Sequence, residues 1–137
     1  MGMTFREKGL WLVGSSLVLV YGLYFWRVLP AAGTDVLPSQ VGAFAGAVVL
    51  LVVIQAAGHA LIAIQDRRTA PDERDRLIGL IGERNGAFTL AAGVFLSLGL
   101  AVFTRGNFLF THVLLACWVL ASLVSIGTSL WLYRRGA

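Results

Sequence analysis

Two polar side chains interrupt the second long apolar stretch of the sequence. Gln55 and His59 are four residues apart, so on a helix they would lie one turn apart on the same face. Polar groups inside segments long enough to cross a bilayer are costly, and they mark candidate functional sites. An imidazole at such a position can take up or release a proton, or bind a ligand. The pair is therefore the first candidate for a binding site.

Serine and threonine side chains of the other apolar stretches are expected at the depth of His59. Ser122 and Ser125 complete a candidate ligand site with Gln55 and His59. The further members of this polar set are Ser15, Ser16, Thr89, Thr128 and Ser129. One interpretation is a small cavity open toward the cytoplasm. The other is that these groups hydrogen-bond between helices, or to the carbonyl four residues back, and only hold the helices together.

The second histidine, His112, follows the start of the fourth apolar stretch. At the rise of a helix it would lie roughly 20 Å from His59 in depth, too far to share a metal ion or haem iron within one chain. We expect His112 to be an interfacial side chain. The single cysteine, Cys117, rules out an intrachain disulfide and a Cys-x-x-Cys site.

Motifs of the common enzyme classes are missing from the sequence. It has no Gly-rich phosphate loop, no His-Glu-x-x-His motif and no nucleophile elbow, and its apolar stretches contain no acidic residue. We therefore predict no catalytic residue, no metal and no cofactor, and the sequence favours a protein without enzymatic activity.

A charged segment, residues 66–86, separates the second and third apolar stretches. Its acidic and basic side chains alternate at Asp72, Glu73, Arg74, Asp75 and Arg76. Catalytic carboxylates or a divalent metal would need a pocket that an exposed helical turn does not provide. We predict instead that these five residues form a surface for a protein partner or for lipid headgroups.

The same segment carries local signals for a helix. Thr69 is a candidate N-cap for a helix starting at Pro71, and its apolar side would let it lie in the interface or continue into the third span. Glu83 and Arg84 would stand at the entrance to that span. They are either a gate for a ligand or proton, or a solvated ion pair.

The composition requires a membrane around these elements. Of 137 residues, 58% are hydrophobic and 13% charged, whereas soluble domains carry about 25% charged residues. Each apolar stretch approaches the roughly 20 residues that cross a bilayer as a helix. The sequence predicts one all-α domain, a polytopic four-transmembrane-helix bundle with a charged, amphipathic cytoplasmic segment between spans two and three. The expected spans are residues 9–29, 41–65, 87–103 and 108–133.

Lysine and arginine residues predict the orientation of the bundle. Apart from Arg27 and Arg105, all of them lie on the side of the charged segment. The positive-inside rule then places both termini and that segment in the cytoplasm, as in a multi-pass protein of a bacterial inner membrane. Because the basic residues are dispersed, the net charge of +4 does not indicate direct nucleic-acid binding. The first span lacks a good cleavage site, so we expect it to be retained.

Small residues four apart predict where helices approach closely. These ridges are Gly42/Gly46, Ala56/Ala60, Gly82/Gly86, Gly93/Ser97 and Ala121/Ser125/Ser129. Gly42 and Gly46 are the expected contact of a homodimer.

Several segments of the chain resemble a family of small membrane proteins of bacteria and archaea, which is known only as a domain of unknown function. The segments are Tyr21–Phe25, Ile54–Ile64, Asp72–Ile78 and Tyr133–Gly136. The resemblance implies four spans, an inward Asp-Glu-Arg-Asp helix and, as partner, a small helix-turn-helix regulator in the cytoplasm. It implies no catalytic residue. After the arginines of this helix the family often has a further polar residue, whereas this chain has Gly79 and Gly82. These two glycines put in doubt that a rigid helix continues through residues 79–82.

Two functions are consistent with these patterns. The first is a non-enzymatic regulator or scaffold in the membrane, whose charged segment binds a cytoplasmic protein. The alternative is a protein that binds or transports a small molecule or lipid through the polar cluster around Gln55 and His59. In both cases membrane lipids surround the bundle.

Overall fold

The computed structural model describes residues 4–65 and 72–135, and all regular structure in these ranges is helical. The helices are α1 (Phe5–Val28), α2 (Pro38–Gln65), α3 (Glu73–Phe103) and α4 (Phe108–Arg135), and a short 3₁₀ turn (Leu29–Ala31) follows α1. Each of the four is long and apolar enough to cross a membrane. The predicted all-α class with four such helices is confirmed.

Helix α3 joins residues 73–86 of the predicted charged segment to the predicted third span without a break. Its N-cap is Asp72, in a capping box with Asp75, while Thr69 and Pro71 lie outside the described residues. Gly79 and Gly82 both lie inside the continuous helix. At the helical rise its 31 residues extend roughly 46 Å, more than the hydrocarbon thickness of about 30 Å.

The helices pack in the order α2, α1, α4, α3. Helix α1 contacts α2 on one side and α4 on the other, and α4 makes its most extensive contact with α3. Among the described residues, α2 makes no close backbone approach to α3 or α4. Helix α2 is therefore an edge of the bundle.

Small residues bring α3 and α4 together, as their spacing predicts. A Cβ atom added to Gly86 would lie 2.9 Å from the carbonyl oxygen of Ala121 and 2.9 Å from Cβ of Ser125. Gly82 faces Ser125 and Ser129 in the same way. The ridges Gly82/Gly86 and Ala121/Ser125/Ser129 thus fit into each other, so the close approach predicted for each of these two ridges is confirmed.

The small residues of α2 behave differently. Gly58 is crowded by Leu12 of α1, whose Cγ would be 3.1 Å from an added Cβ, whereas nothing lies within 4 Å of such an atom at Gly42 or Gly46. Ala56 and Ala60 are exposed as well. The homodimer contact predicted through Gly42 and Gly46 stays a prediction.

Two ends of the bundle are distinguished below. The charged end comprises the starts of α1 and α3 and the ends of α2 and α4; the turn end comprises the loops 29–37 and 104–107. At the turn end, the Phe108 amide donates to the Thr34 carbonyl (3.1 Å) and the Val36 amide to Oδ1 of Asn107 (2.8 Å). Gly106 has a φ of 77°, a conformation that glycine adopts without steric cost. These contacts join the α1–α2 connection to the α3–α4 turn.

Candidate functional site

A cavity of about 290 Å³ lies at the charged end between the helices, and we name it the charged-end cavity. All four helices contribute a polar side chain to it. Arg6 comes from α1, His59 from α2, Asp75 from α3, and Ser129 and Tyr133 from α4. The aliphatic and aromatic part of the wall includes Phe5, Leu10, Val13 and Ile78.

Asp75 links three of the helices at this cavity. Its Oδ1 accepts a hydrogen bond from the Tyr133 hydroxyl (2.7 Å), and its Oδ2 accepts one from the backbone amide of Asp72 (3.3 Å). Its backbone carbonyl accepts a third from Nη1 of Arg6 (3.3 Å). One residue in the first turn of α3 thereby holds the start of α1 and the end of α4.

His59 is half-buried, and its hydrogen bond to the backbone determines which ring nitrogen carries the proton. Nδ1 lies 2.8 Å from the backbone carbonyl of Gln55. Because a carbonyl only accepts, Nδ1 carries the proton, and in the neutral ring Nε2 is then an acceptor. A Cβ atom added to Gly9 of α1 would lie 3.5 Å from Nε2. The lack of a side chain at Gly9 therefore leaves room beside this ring edge.

The structure divides the predicted ligand site between two places. Of its four residues, His59 lines the charged-end cavity, and Gln55 contributes the carbonyl that orients His59 without lining the cavity. Ser122 and Ser125 line a separate cleft of about 320 Å³ between α3 and α4, together with Glu83.

Most of the hydroxyl groups in the predicted polar set bond within their own helices. The Ser122 hydroxyl donates to the carbonyl of Trp118 (2.9 Å), that of Ser15 to Trp11 (2.7 Å) and that of Thr89 to Asn85 (2.9 Å). Such bonds satisfy the donor without a ligand. For these three side chains the contacts match the packing interpretation.

The predicted partner-binding residues are mostly exposed. Asp72, Glu73, Arg74 and Arg76 are exposed, whereas Asp75 is half-buried and bonded inside the bundle. Beside them lies a groove of about 480 Å³, which we name the charged groove. It is lined by Asp72, Glu73, Arg74, Leu77, Ile78, Ile81 and Leu132.

The predicted gate residues follow about two turns further along α3. Glu83 and Arg84 are both exposed, and neither lines the charged-end cavity. Their role as a gate stays a prediction.

The expectation that His112 is an interfacial side chain concerns its depth in a membrane and stays a prediction. His112 is buried, with 4% of its surface exposed. Its Nδ1 donates a hydrogen bond to the carbonyl of Phe108 (2.8 Å). Its Nε2 therefore accepts a hydrogen bond from the hydroxyl of Tyr24 (3.0 Å). The ring also stacks on Tyr24 and Phe108. The aromatic residues that close the first span enclose this histidine, which the depth estimate along one helix did not reveal.

A second cavity, of about 460 Å³, lies at the turn end and has a mainly apolar wall. Among its polar side chains, Gln40 uses both amide atoms on the backbone of Leu37 and Ala31, and Tyr24 bonds to His112. The charged-end cavity differs because its wall carries the ionisable side chains of Arg6, His59 and Asp75, which makes it the better candidate for recognition of a polar group.

Sequence reasoning missed Arg6 and Tyr133 as members of the site. The signal for both was present, because the positive-inside argument places them at the same end as Asp75. Among the described residues, no group of three or more histidine, cysteine or acidic side chains could hold a metal ion.

Comparison of the chain with models of known protein families, with curated proteins and with solved structures finds no match. The membrane family that the chain resembles therefore stays an expectation.

Proposed function

We propose that this chain is a non-enzymatic, multi-pass membrane protein that binds an amphipathic small molecule or lipid in the charged-end cavity. The observation that carries this proposal is the convergence of polar side chains from all four helices on one mainly apolar cavity. Binding sites for small molecules have this composition, with a few polar groups on a largely hydrophobic wall.

The position of the cavity supports an amphipathic ligand. It lies where the charges of Arg6 and Asp75 meet the apolar parts of the helices. The arginine distribution supports placing this end at the cytoplasmic face of a bacterial inner membrane. A ligand that lies at the membrane surface would reach the cavity with its head group near these charges and its hydrocarbon in the bilayer.

The direct test identifies molecules that purify with the protein. The wild-type chain and His59→Phe are reconstituted or extracted in parallel, and native mass spectrometry records bound small molecules. We expect a discrete adduct on the wild type that is strongly reduced on His59→Phe, because the Nε2 acceptor is lost while a ring of similar size remains.

Leu61→Phe is the matched control, since Leu61 is 61% exposed on the same helix and lies outside the cavity. It should keep the adduct. Equal adducts on all three proteins, or none beyond the bulk lipids on the wild type, would contradict the proposal.

A second candidate function is a regulator or scaffold whose cytoplasmic partner, such as a helix-turn-helix regulator, binds the charged groove. The supporting observation is the groove itself, in which three charged side chains at the start of α3 line the same surface as Leu77, Ile78, Ile81 and Leu132. An apolar centre with a polar rim is the usual composition of a protein interface.

Site-specific photo-crosslinking in cells tests this second function. A crosslinker at Leu77 lies in the groove, and one at Leu80 lies outside it on the same helix. Both side chains are exposed. We expect a discrete protein adduct from position 77 that is absent from position 80 and is lost with Arg74→Glu. Identical adducts from both positions would count against a partner in the groove.

A further inference from the structure

The hydrogens of three side chains in the charged-end cavity are already committed within the protein. Nδ1 of His59 donates to the carbonyl of Gln55 (2.8 Å). The Ser129 hydroxyl donates to the carbonyl of Ser125 (3.0 Å), and the Tyr133 hydroxyl donates to Oδ1 of Asp75 (2.7 Å). Each of these groups has therefore used its donor on a neighbouring residue.

What these side chains still offer to a ligand is acceptor capacity. Nε2 of a neutral His59 accepts, and each hydroxyl oxygen keeps lone pairs after its hydrogen is used. The Asp75 carboxylate has about four lone-pair sites, and it accepts from Tyr133 and from the amide of Asp72. The polar interior of the cavity consequently presents acceptors.

Arg6 is the cationic donor among the side chains that line the cavity. Its side chain is exposed, and one of its guanidinium hydrogens goes to the carbonyl of Asp75 (3.3 Å). An anionic group would pair with Arg6 in solvent, where an ion pair contributes little. The exposed Arg6 therefore adds little affinity for an anionic group, while the other polar side chains of the lining offer acceptors.

The size of the cavity limits how much of a ligand it holds. Its volume of about 290 Å³ is at the lower limit of ligand pockets, which occupy roughly 300–1,000 Å³. Phe5, Leu10 and Val13 supply the apolar wall beside the polar groups. The cavity has room for one head group and the beginning of one hydrocarbon chain.

We infer that the ligand is a single-chain amphipath whose head group donates hydrogen bonds, either an alcohol or a primary ammonium. This inference rests on the proposed ligand-binding function and adds the chemistry of the head group to it. Head groups without a donor, such as a carboxylate or a quaternary ammonium, leave the acceptors of the cavity without a partner. A site built around a donor discriminates against ligands that lack one.

Four probes with the same chain test the head-group chemistry: dodecanol, dodecylamine, dodecyltrimethylammonium and dodecanoate. Binding to the protein in lipid nanodiscs is measured by isothermal titration calorimetry, with empty nanodiscs subtracted. We expect dodecanol or dodecylamine to bind about tenfold more tightly than the two probes without donors, the effect of one or two net hydrogen bonds. Which of the two binds better distinguishes an alcohol from an ammonium ligand.

The outcomes separate this inference from the function on which it rests. Equal affinity for all four probes would overturn the donor requirement and leave the ligand-binding function standing. The absence of saturable binding by every probe, together with no adduct in native mass spectrometry, would overturn both.

Two variants connect the selectivity to the residues. His59→Phe and Ser129→Ala each remove an acceptor from the cavity, and each should reduce the preference for donor probes several-fold, while Leu61→Phe keeps it. In wild-type protein, the ¹⁵N resonance of His59 Nε2 should shift when dodecanol is added and stay unchanged with dodecyltrimethylammonium. Full selectivity in both acceptor variants would contradict the inference, and Ser129→Ala decides the test if His59→Phe does not fold.

Discussion

The hydroxyl of Tyr133 donates a hydrogen bond of 2.7 Å to Oδ1 of Asp75, and so connects the last turn of α4 to the first turn of α3. The partners are 58 residues apart in the sequence. Because Asp75 also closes the capping box of α3, one carboxylate contributes both to a helix start and to a tertiary contact. This pair forms one wall of the charged-end cavity.

Tyr133→Phe should lower the free energy of unfolding by about 0.5–1.5 kcal/mol, the usual net value of one hydrogen bond. The ring and its packing are kept, so the change isolates the hydroxyl. The difference in the free energy of unfolding is measured by unfolding both proteins in mixed micelles and monitoring the transition by circular dichroism. A double-mutant cycle with Asp75→Ala separates the pair from the loss of the cap. A coupling energy near zero would mean that the hydrogen bond does not stabilise the fold.

Tyr24→Phe should lower the free energy of unfolding by about 1–3 kcal/mol, because it leaves Nε2 of buried His112 without its hydrogen-bond partner. Tyr21→Phe is the matched control. Tyr21 is equally buried on the same helix, but its hydroxyl has no hydrogen-bond partner among the described residues. The same unfolding measurement on both variants checks this. Equal losses for the two tyrosines would contradict a specific role for the Tyr24–His112 bond.

Gly86→Ala should destabilise the bundle by about 1–3 kcal/mol, the usual cost of overpacking a tight contact. The added methyl group would meet the Ala121 carbonyl oxygen and Ser125, each at 2.9 Å. Gly99→Ala on the same helix is the control, since nothing lies within 4 Å of its added Cβ. It should be neutral or stabilising, because alanine favours a helix over glycine. A stable Gly86→Ala variant would show that α3 and α4 are less closely packed than described.

Cysteine labelling tests the proposed orientation. In a Cys117→Ala background, Ser39→Cys reports the turn end and Glu73→Cys the charged end, and both positions are exposed. We expect a membrane-impermeant maleimide to label Ser39→Cys in intact spheroplasts, and to label Glu73→Cys only in inverted vesicles, because the positive-inside rule favours the cytoplasm for the arginine-rich charged end. The reverse pattern would overturn the orientation and the cytoplasmic partner with it.

The ridge of Gly82 and Gly86 shows how much of the packing was predictable. Small residues at helical spacing allow close backbone approach in any pair of helices, so the spacing indicated a contact surface. The spacing did not indicate which of these surfaces makes a contact between two helices of the same chain. Gly42 and Gly46 have the same spacing and face no atom within 4 Å. The difference arises from the packing order, which leaves α2 at the edge.

The candidate site was predictable only in part, as His59 illustrates. Its place on a helical face with Gln55 follows from periodicity, and its hydrogen bond to the Gln55 carbonyl lies within one turn. Ser122 and Ser125 were assigned to the same site by depth alone. Depth does not specify the direction in which a side chain leaves its helix, and the structure turns these serines toward a different cleft.

The sequence by itself determined the four long apolar helices, the segment that carries the charges and the small residues available for close contacts, because these depend on local composition and on the helical period. Only the tertiary structure decided that Arg6, His59, Asp75 and Tyr133 meet around one cavity and that His112 is buried against Tyr24. The physical reason is that both depend on the rotation and order of packed helices. Those are properties of contacts between residues far apart in the chain, and no pattern within one helix specifies them.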